Sequence, residues 1–160
     1  MEYISEAMQC SLLAYDAEEW PESNSSTLLF SALMIRIFGP QKFKNNEEMS
    51  VRNKMNAKVF FQRFPELYSF IFKLLHQAEQ KVQVQVKNTK LHPLLLLLNR
   101  LYNSNSDEES SIKLTEFIPI ITSCSGCVEL QTRILCAKFI ANNTPPSSCA
   151  ILSNIKSCRE

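Results

Sequence analysis

The sequence predicts an all-α protein, a helical bundle or the stacked helix pairs of an α-solenoid, and three observations carry that expectation. Only two of the 160 residues, Gly39 and Gly126, are glycine. That is too few for a sandwich or barrel full of tight turns, or for a Rossmann sheet whose loops need positive φ. Apolar residues recur at three- and four-residue spacing along most of the chain, the period of a helix buried on one side. Polar and proline-containing breaks divide that pattern into six or seven helices of about 10 to 18 residues in antiparallel succession, too short for a coiled coil. No strict internal repeat is visible, but degenerate helical repeats often keep only their apolar pattern.

Ile4, Ala7, Met8, Leu12 and Tyr15 form an amphipathic stripe over residues 3–17, without an N-cap, as expected of a chain cut from a longer protein. After Trp20 and Pro21, the polar run from Glu22 to Thr27 offers oxygens to cap a helix with its body at Leu28 to Phe38, stopped by Gly39-Pro40. That body is apolar at nearly every position, so it is expected to be enclosed by neighbours on most sides. Residues 41–57 are polar and lack an apolar face, and read as a long, mobile surface loop.

A short helical turn from Val59 to Arg63 precedes Phe64 and Pro65. Pro65 is suited to the first position of a helix whose face is Leu67, Ile71, Leu74, Leu75 and Ala78. Lys81 to Lys87 alternate valine with polar residues; with no second strand to pair with, they are read as a frayed helix end or loop. A helix is expected from His92-Pro93 through Tyr102, then a polar connector from Asn103 to Ser111. Leu114, Phe117, Ile118 and Ile121 give a stripe kinked by Pro119 and ended by Ser123 to Gly126. Val128 to Ala141 form the next helix, and Ala150, Leu152 and Ile155 begin a last one. Residues 1–160 thus read as a single helical segment of a larger superhelix, truncated at both ends.

The net charge of +1 conceals an uneven distribution. Residues 1–35 carry six acids and no base, residues 36–90 eleven bases against four acids, and residues 91–160 six of each. The basic middle fits either phosphate contact or, the favoured reading, a solvated helical surface. No secretory signal opens the chain, and the run Leu94 to Leu98 is far short of a membrane span. Six cysteines without a leader read as reduced thiols in a soluble cytoplasmic setting.

Cys124 and Cys127 have the spacing of a metal or redox pair, but Cys136, Cys149, His76 and His92 supply no recognisable second pair, and helix-end cysteines without chemistry are the favoured reading. No HExxH, GxSxG or glycine-rich phosphate loop is present, so neither a catalytic site nor a bound cofactor is expected. Phe60, Phe61, Arg63, Phe64 and Tyr68 interleave rings with a base, as a nucleic-acid binder would, although packing between helices is the favoured role. Arg36 and Arg133, set in apolar helices, are expected to bond neighbouring helix ends or loops.

The runs Asn24–Gly39 (NSSTLLFSALMIRIFG) and Phe60–Tyr68 (FFQRFPELY) resemble successive blocks of the thyroid-adenoma-associated, or THADA-like, family. Tyr3–Met8 resembles the helix before the first block. Leu91-His92-Pro93 and Asn99–Tyr102 resemble the next helix pair, and Thr132–Lys138 is a weaker match. The resemblance spans residues 3–143. It implies an α-solenoid of HEAT- or armadillo-like helix pairs, part of a far longer protein that regulates, without catalysing, 2′-O-methylation of the tRNA anticodon loop at position 32 by a partner methyltransferase. The chain departs from the family at Ser23 and Lys138, where arginine is usual; at Ser23 a bidentate contact would be lost. The family's Arg-Arg-Ser-Ala-Gly motif is absent.

The resemblance therefore implies a non-catalytic scaffold with a methyltransferase subunit and tRNA as partners, without membrane insertion, and with Arg36, Lys58, Arg63 and Lys73 as the candidate contacts. The alternative is a protein–protein adaptor solenoid that does not touch RNA.

Overall fold

A computed structural model describes residues 2–40, 53–83, 90–103 and 114–144. Within these, the helices are α1 (Glu2–Leu13), α2 (Trp20–Phe38), α3 (Ala57–Arg63), α4 (Pro65–Gln83), α5 (Leu91–Leu98), α6 (Ile118–Cys124) and α7 (Leu130–Asn143). A 3₁₀ turn, Leu114–Phe117, leads into α6, and two short strands, β1 (Met55–Asn56) and β2 (Leu101–Tyr102), pair in parallel. The protein is an all-α repeat solenoid. Its signature is the packing of alternate helices, α4 on α6 and α5 on α7, while α1 packs on α2. Helices two apart in sequence lie against each other when one helix pair stacks on the next, so each pair buries its apolar face against its neighbours.

Local chemistry accounts for most boundaries. Pro21 stands in the first turn of α2, where its missing N–H costs no intrahelical bond. The helix therefore starts at Trp20, earlier than the expected body at Leu28, and the polar run lies inside it instead of capping it. Its hydroxyls are satisfied by bonding backward along the helix. Ser25 donates to the Pro21 carbonyl at 2.6 Å, Ser26 and Thr27 to Ser23 at 2.9 Å, and Ser31 to Thr27 at 2.9 Å. Gly39 closes α2, its N–H bonded to the Ile35 carbonyl at 2.8 Å, with φ 83° and ψ 168°, a region essentially confined to glycine.

Asn56 caps α3 by accepting from the Val59 N–H at 3.2 Å. Pro65 opens α4 as expected, and α4 carries through Lys81 and Val82 to Gln83. The remainder of the alternating segment, the expected loop at 41–52, most of the 103–111 connector and the expected last helix lie outside the described residues. Residues 55–57 of the expected loop are strand β1 and the start of α3.

Three further expectations are corrected. The helix from His92 does not reach Tyr102: Asn99 donates its side-chain amide to the Leu95 carbonyl at 2.8 Å, and the chain then extends so that Leu101 and Tyr102 pair with Met55 and Asn56. Pro119 does not kink a helix; it lies in the first turn of α6, following the 3₁₀ turn. Nor is α2 enclosed among the described residues. Phe30, Leu33, Met34 and Phe38 are buried, but Leu28 is 63% and Ile35 55% exposed, because α1 is the main neighbour of α2 and covers one side of it.

The core runs through all the helices. Met8 and Leu12 of α1, the α4 stripe and four of the five consecutive leucines of α5 are buried in it. At its centre lies a group of rings. Phe60, Phe61 and Phe117 are fully buried. Phe60 stacks on Phe38 across to α2 at 6.0 Å, and Phe117 meets Phe61, Tyr68 and Phe72 at 6.5, 5.4 and 5.7 Å. The favoured packing role of the Phe60–Phe64 run is therefore what the fold makes of it.

Candidate functional site

The four candidate contacts lie on three elements. Arg36 is in the last turn of α2, Lys58 and Arg63 are near the two ends of α3, and Lys73 is midway along α4, all of them exposed. Lys58 and Arg63 are five residues apart, about 140° around a helix, so they face different directions. No ion pair or hydrogen bond ties Arg36, Arg63 or Lys73 to another described residue. The fold presents them as dispersed surface charges. Arg133 is likewise exposed; the expected bonds from Arg36 and Arg133 to neighbouring helix ends do not form among the described residues.

The cysteines converge more than their spacing suggests. Cys124 at the end of α6 and Cys136 in α7 are buried, and Cys127 between them is half-buried; all three are free thiols. Burial first, then Glu79 and Cys127, push the Cys124 thiol up to about 12. Burial and then the other two cysteines push Cys136 to about 12. Groups held this far above neutrality stay protonated, whereas the thiolate is the nucleophile and metal ligand. No cluster of three or more His, Cys, Asp or Glu able to hold a metal occurs among the described residues.

Tyr68 of α4 donates to the Glu116 carboxylate. Desolvation first, then that acceptor, raise its phenol to about 12. His92 faces Thr132 at 3.5 Å, and Thr132 donates to Glu129 at 3.1 Å. Lys90 pairs with Asp16 at 3.0 Å, joining the start of α5 to the turn after α1. Ser23 donates to the Tyr15 carbonyl at 3.0 Å and closes the α1–α2 connection.

Two consecutive polar side chains are buried at the end of α5. A cavity of about 380 Å³ lies between α2, α5, α7 and the turn after α1, lined by apolar side chains together with Tyr15, Ser31, Asn99 and Arg100. Asn99 is buried and bonded to the Leu95 and Leu135 carbonyls at 2.8 and 3.1 Å, fastening α5 to α7. Arg100 is only 6% exposed. Its Nη1 donates to the Asn53 carbonyl at 3.1 Å, and its guanidinium lies 6.0 Å from the Phe38 ring centroid. Burial lowers its pKa from the ordinary value. Among the described residues no carboxylate pairs with it. Sequence reasoning did not single out this pair as a site. The available signal was an asparagine and an arginine directly after five consecutive leucines, a place where the chain has just been fully buried.

The family profile described as "Trm732, C-terminal TPR repeats" matches residues 23–160. The chain belongs to this family. TPR units, like HEAT and armadillo units, are stacked helix pairs, in keeping with the packing of α4/α5 on α6/α7. Over 163 residues, covering 96% of this chain, it is 35% identical to the mouse (Mus musculus) protein named tRNA (32-2′-O)-methyltransferase regulator THADA. The human (Homo sapiens) protein of that name is 34% identical over 99% of the chain, and the Schizosaccharomyces pombe regulator trm732 is 31% identical over 79%. The chain spans only 8% of the mouse and human proteins and 9% of the yeast one. No solved structure matches it. No helix among the described residues is long and apolar enough to cross a membrane.

Proposed function

We propose that this chain is a non-catalytic scaffold segment supporting 2′-O-methylation of tRNA at position 32. It does so by presenting stacked helices to a separate methyltransferase and its tRNA in the cytoplasm. The observation that carries this reading is the match, over nearly the whole chain, to relatives named as regulators of that methyltransferase. Thiols held protonated by burial fit it as well. A scaffold of this kind acts by positioning, converting an encounter of enzyme and substrate into an oriented one.

Arg36, Lys58, Arg63 and Lys73 are the proposed contacts with RNA or enzyme. In a reconstitution of full-length protein, methyltransferase and tRNA, the protein raises methylation at position 32, and reversing these four charges to glutamate lowers that stimulation and the salt-dependent retention of tRNA. Unchanged methylation on adding the full-length protein would sink the proposal. The dispersal of the four charges favours a second reading, an adaptor that holds the methyltransferase without touching RNA. It predicts no tRNA retention even at low salt, with stimulation of methylation intact in the charge-reversed variant.

A further inference from the structure

The helix ends gathered around the start of α5 carry chemistry that the scaffold reading does not use. Lys90, just before α5, pairs with Asp16 in the turn between α1 and α2 at 3.0 Å. His92 in the first turn of α5 faces Thr132 in the first turn of α7. These contacts bring the α1–α2 turn, the start of α5 and the start of α7 to one edge of the stack, where the connecting loops of helix pairs lie and where such folds often bind. A cavity of about 470 Å³ opens there, lined by Tyr15, His92, Glu129, Leu130 and Gln131, a size suited to one small molecule or one anchoring side chain. Two of its polar groups are fixed by one buried hydroxyl. Thr132 is 1% exposed, and its Oγ1 lies 3.1 Å from Glu129 Oε2 and 3.5 Å from His92 Nδ1. A carboxylate and an imidazole already held in place lose little freedom when a ligand arrives.

We propose that this cavity docks an arginine side chain of a protein partner, with Glu129 pairing the guanidinium and the Tyr15 and His92 rings packing against it. The two oxygens of a carboxylate match the planar fork of a guanidinium in charge and spacing. An ionised carboxylate accepts several hydrogen bonds at once, the one from Thr132 among them. A guanidinium also stacks on aromatic faces, which an ammonium does less well. Charge selects the kind of partner. Among the described residues of this edge, Asp16, Glu18, Glu19 and Glu129 outnumber Lys90 and Arg133, so a cationic side chain is drawn in and an RNA phosphate is repelled. The rim points the same way: Val128 is 74% and Leu130 60% exposed, an apolar border for the residues flanking the arginine. Arginine anchors within apolar surroundings are typical of the strongest contacts between proteins.

The test uses the full-length protein titrated calorimetrically with acetyl-Leu-Arg-Leu-amide and, as the neutral isostere, acetyl-Leu-citrulline-Leu-amide. The arginine peptide is expected to bind saturably and the citrulline peptide about tenfold more weakly or worse, the usual advantage of a charge-assisted bond. Gln131 is exposed and lines the cavity, so Gln131→Trp fills it from the surface without disturbing the core. That variant is expected to lose the binding and keep its melting temperature. Glu129→Gln keeps the side chain's shape and an acceptor for Thr132 while removing the charge. It is expected to weaken the arginine peptide about tenfold and leave the citrulline peptide unchanged; should it fail to fold, Gln131→Trp still decides. Equal affinity for the two peptides, arginine-peptide binding that survives Gln131→Trp, displacement of that peptide by tRNA at low salt, or no saturation at millimolar peptide each overturns the proposal. Because the readout is direct binding, its outcome is separable from whether the protein stimulates methylation.

Discussion

Replacing Phe117 tests the packing of the core most directly. Phe117 sits in the 3₁₀ turn before α6, fully buried, with its ring against Phe61 of α3 and both Tyr68 and Phe72 of α4. Truncating a buried phenylalanine to alanine costs about 3–5 kcal/mol through lost transfer energy and the cavity left behind. Each aromatic pair contributes about 0.5–1.5 kcal/mol beyond area burial, and three such contacts place Phe117→Ala at the upper end of that range. Phe117→Leu keeps most of the volume and loses the ring contacts, so about 2 kcal/mol is expected. With a urea m-value of about 2 kcal/mol per molar, the unfolding midpoint falls by about 2 M for Ala and about 1 M for Leu. Circular dichroism at 222 nm against urea reads both. A drop of less than about 0.5 M in the alanine variant would refute the ring group as the tie between α3, α4 and α6.

Three further outcomes are expected. Gly39→Ala costs about 1–3 kcal/mol, because alanine resists φ 83°, ψ 168°. A Cβ there meets nothing within 4 Å, so the loss is backbone strain alone; an unchanged urea midpoint would contradict it. For the thiols, folded values near 12 for Cys124 and Cys136 against an ordinary 9.0 mean that the folded state holds these protons more tightly than the unfolded one. Their contribution to stability is present in full below pH about 9 and falls away as pH rises toward about 12, with Tyr68 acting in the same direction. Urea midpoints that stayed flat across that window would contradict the burial. At neutral pH, iodoacetamide followed by mass spectrometry should label the exposed Cys10 well before either buried thiol.

The sequence by itself determined that this protein is helical, and it marked most helix starts and stops. Both are local properties: the three-to-four period of Leu67, Ile71, Leu74 and Ala78, a proline in a first turn at Pro65, and a glycine-only conformation at Gly39. The resemblance carried by Asn24–Gly39 and Phe60–Tyr68 named the family for the same reason, since both runs are continuous in the chain. The tertiary structure decided which faces those helices bury against one another. It left Leu28 and Ile35 of α2 exposed although their helix reads as apolar all round, because α1 covers only one side of it. It drew Met55 and Asn56 alongside Leu101 and Tyr102 as paired strands, across a separation no local pattern encodes. It also brought Cys136 to the Cys124–Cys127 pair, and Arg100 to the Asn53 carbonyl and the Phe38 ring. Each of these depends on which helix stacks against which, and side-chain chemistry read residue by residue does not contain that choice.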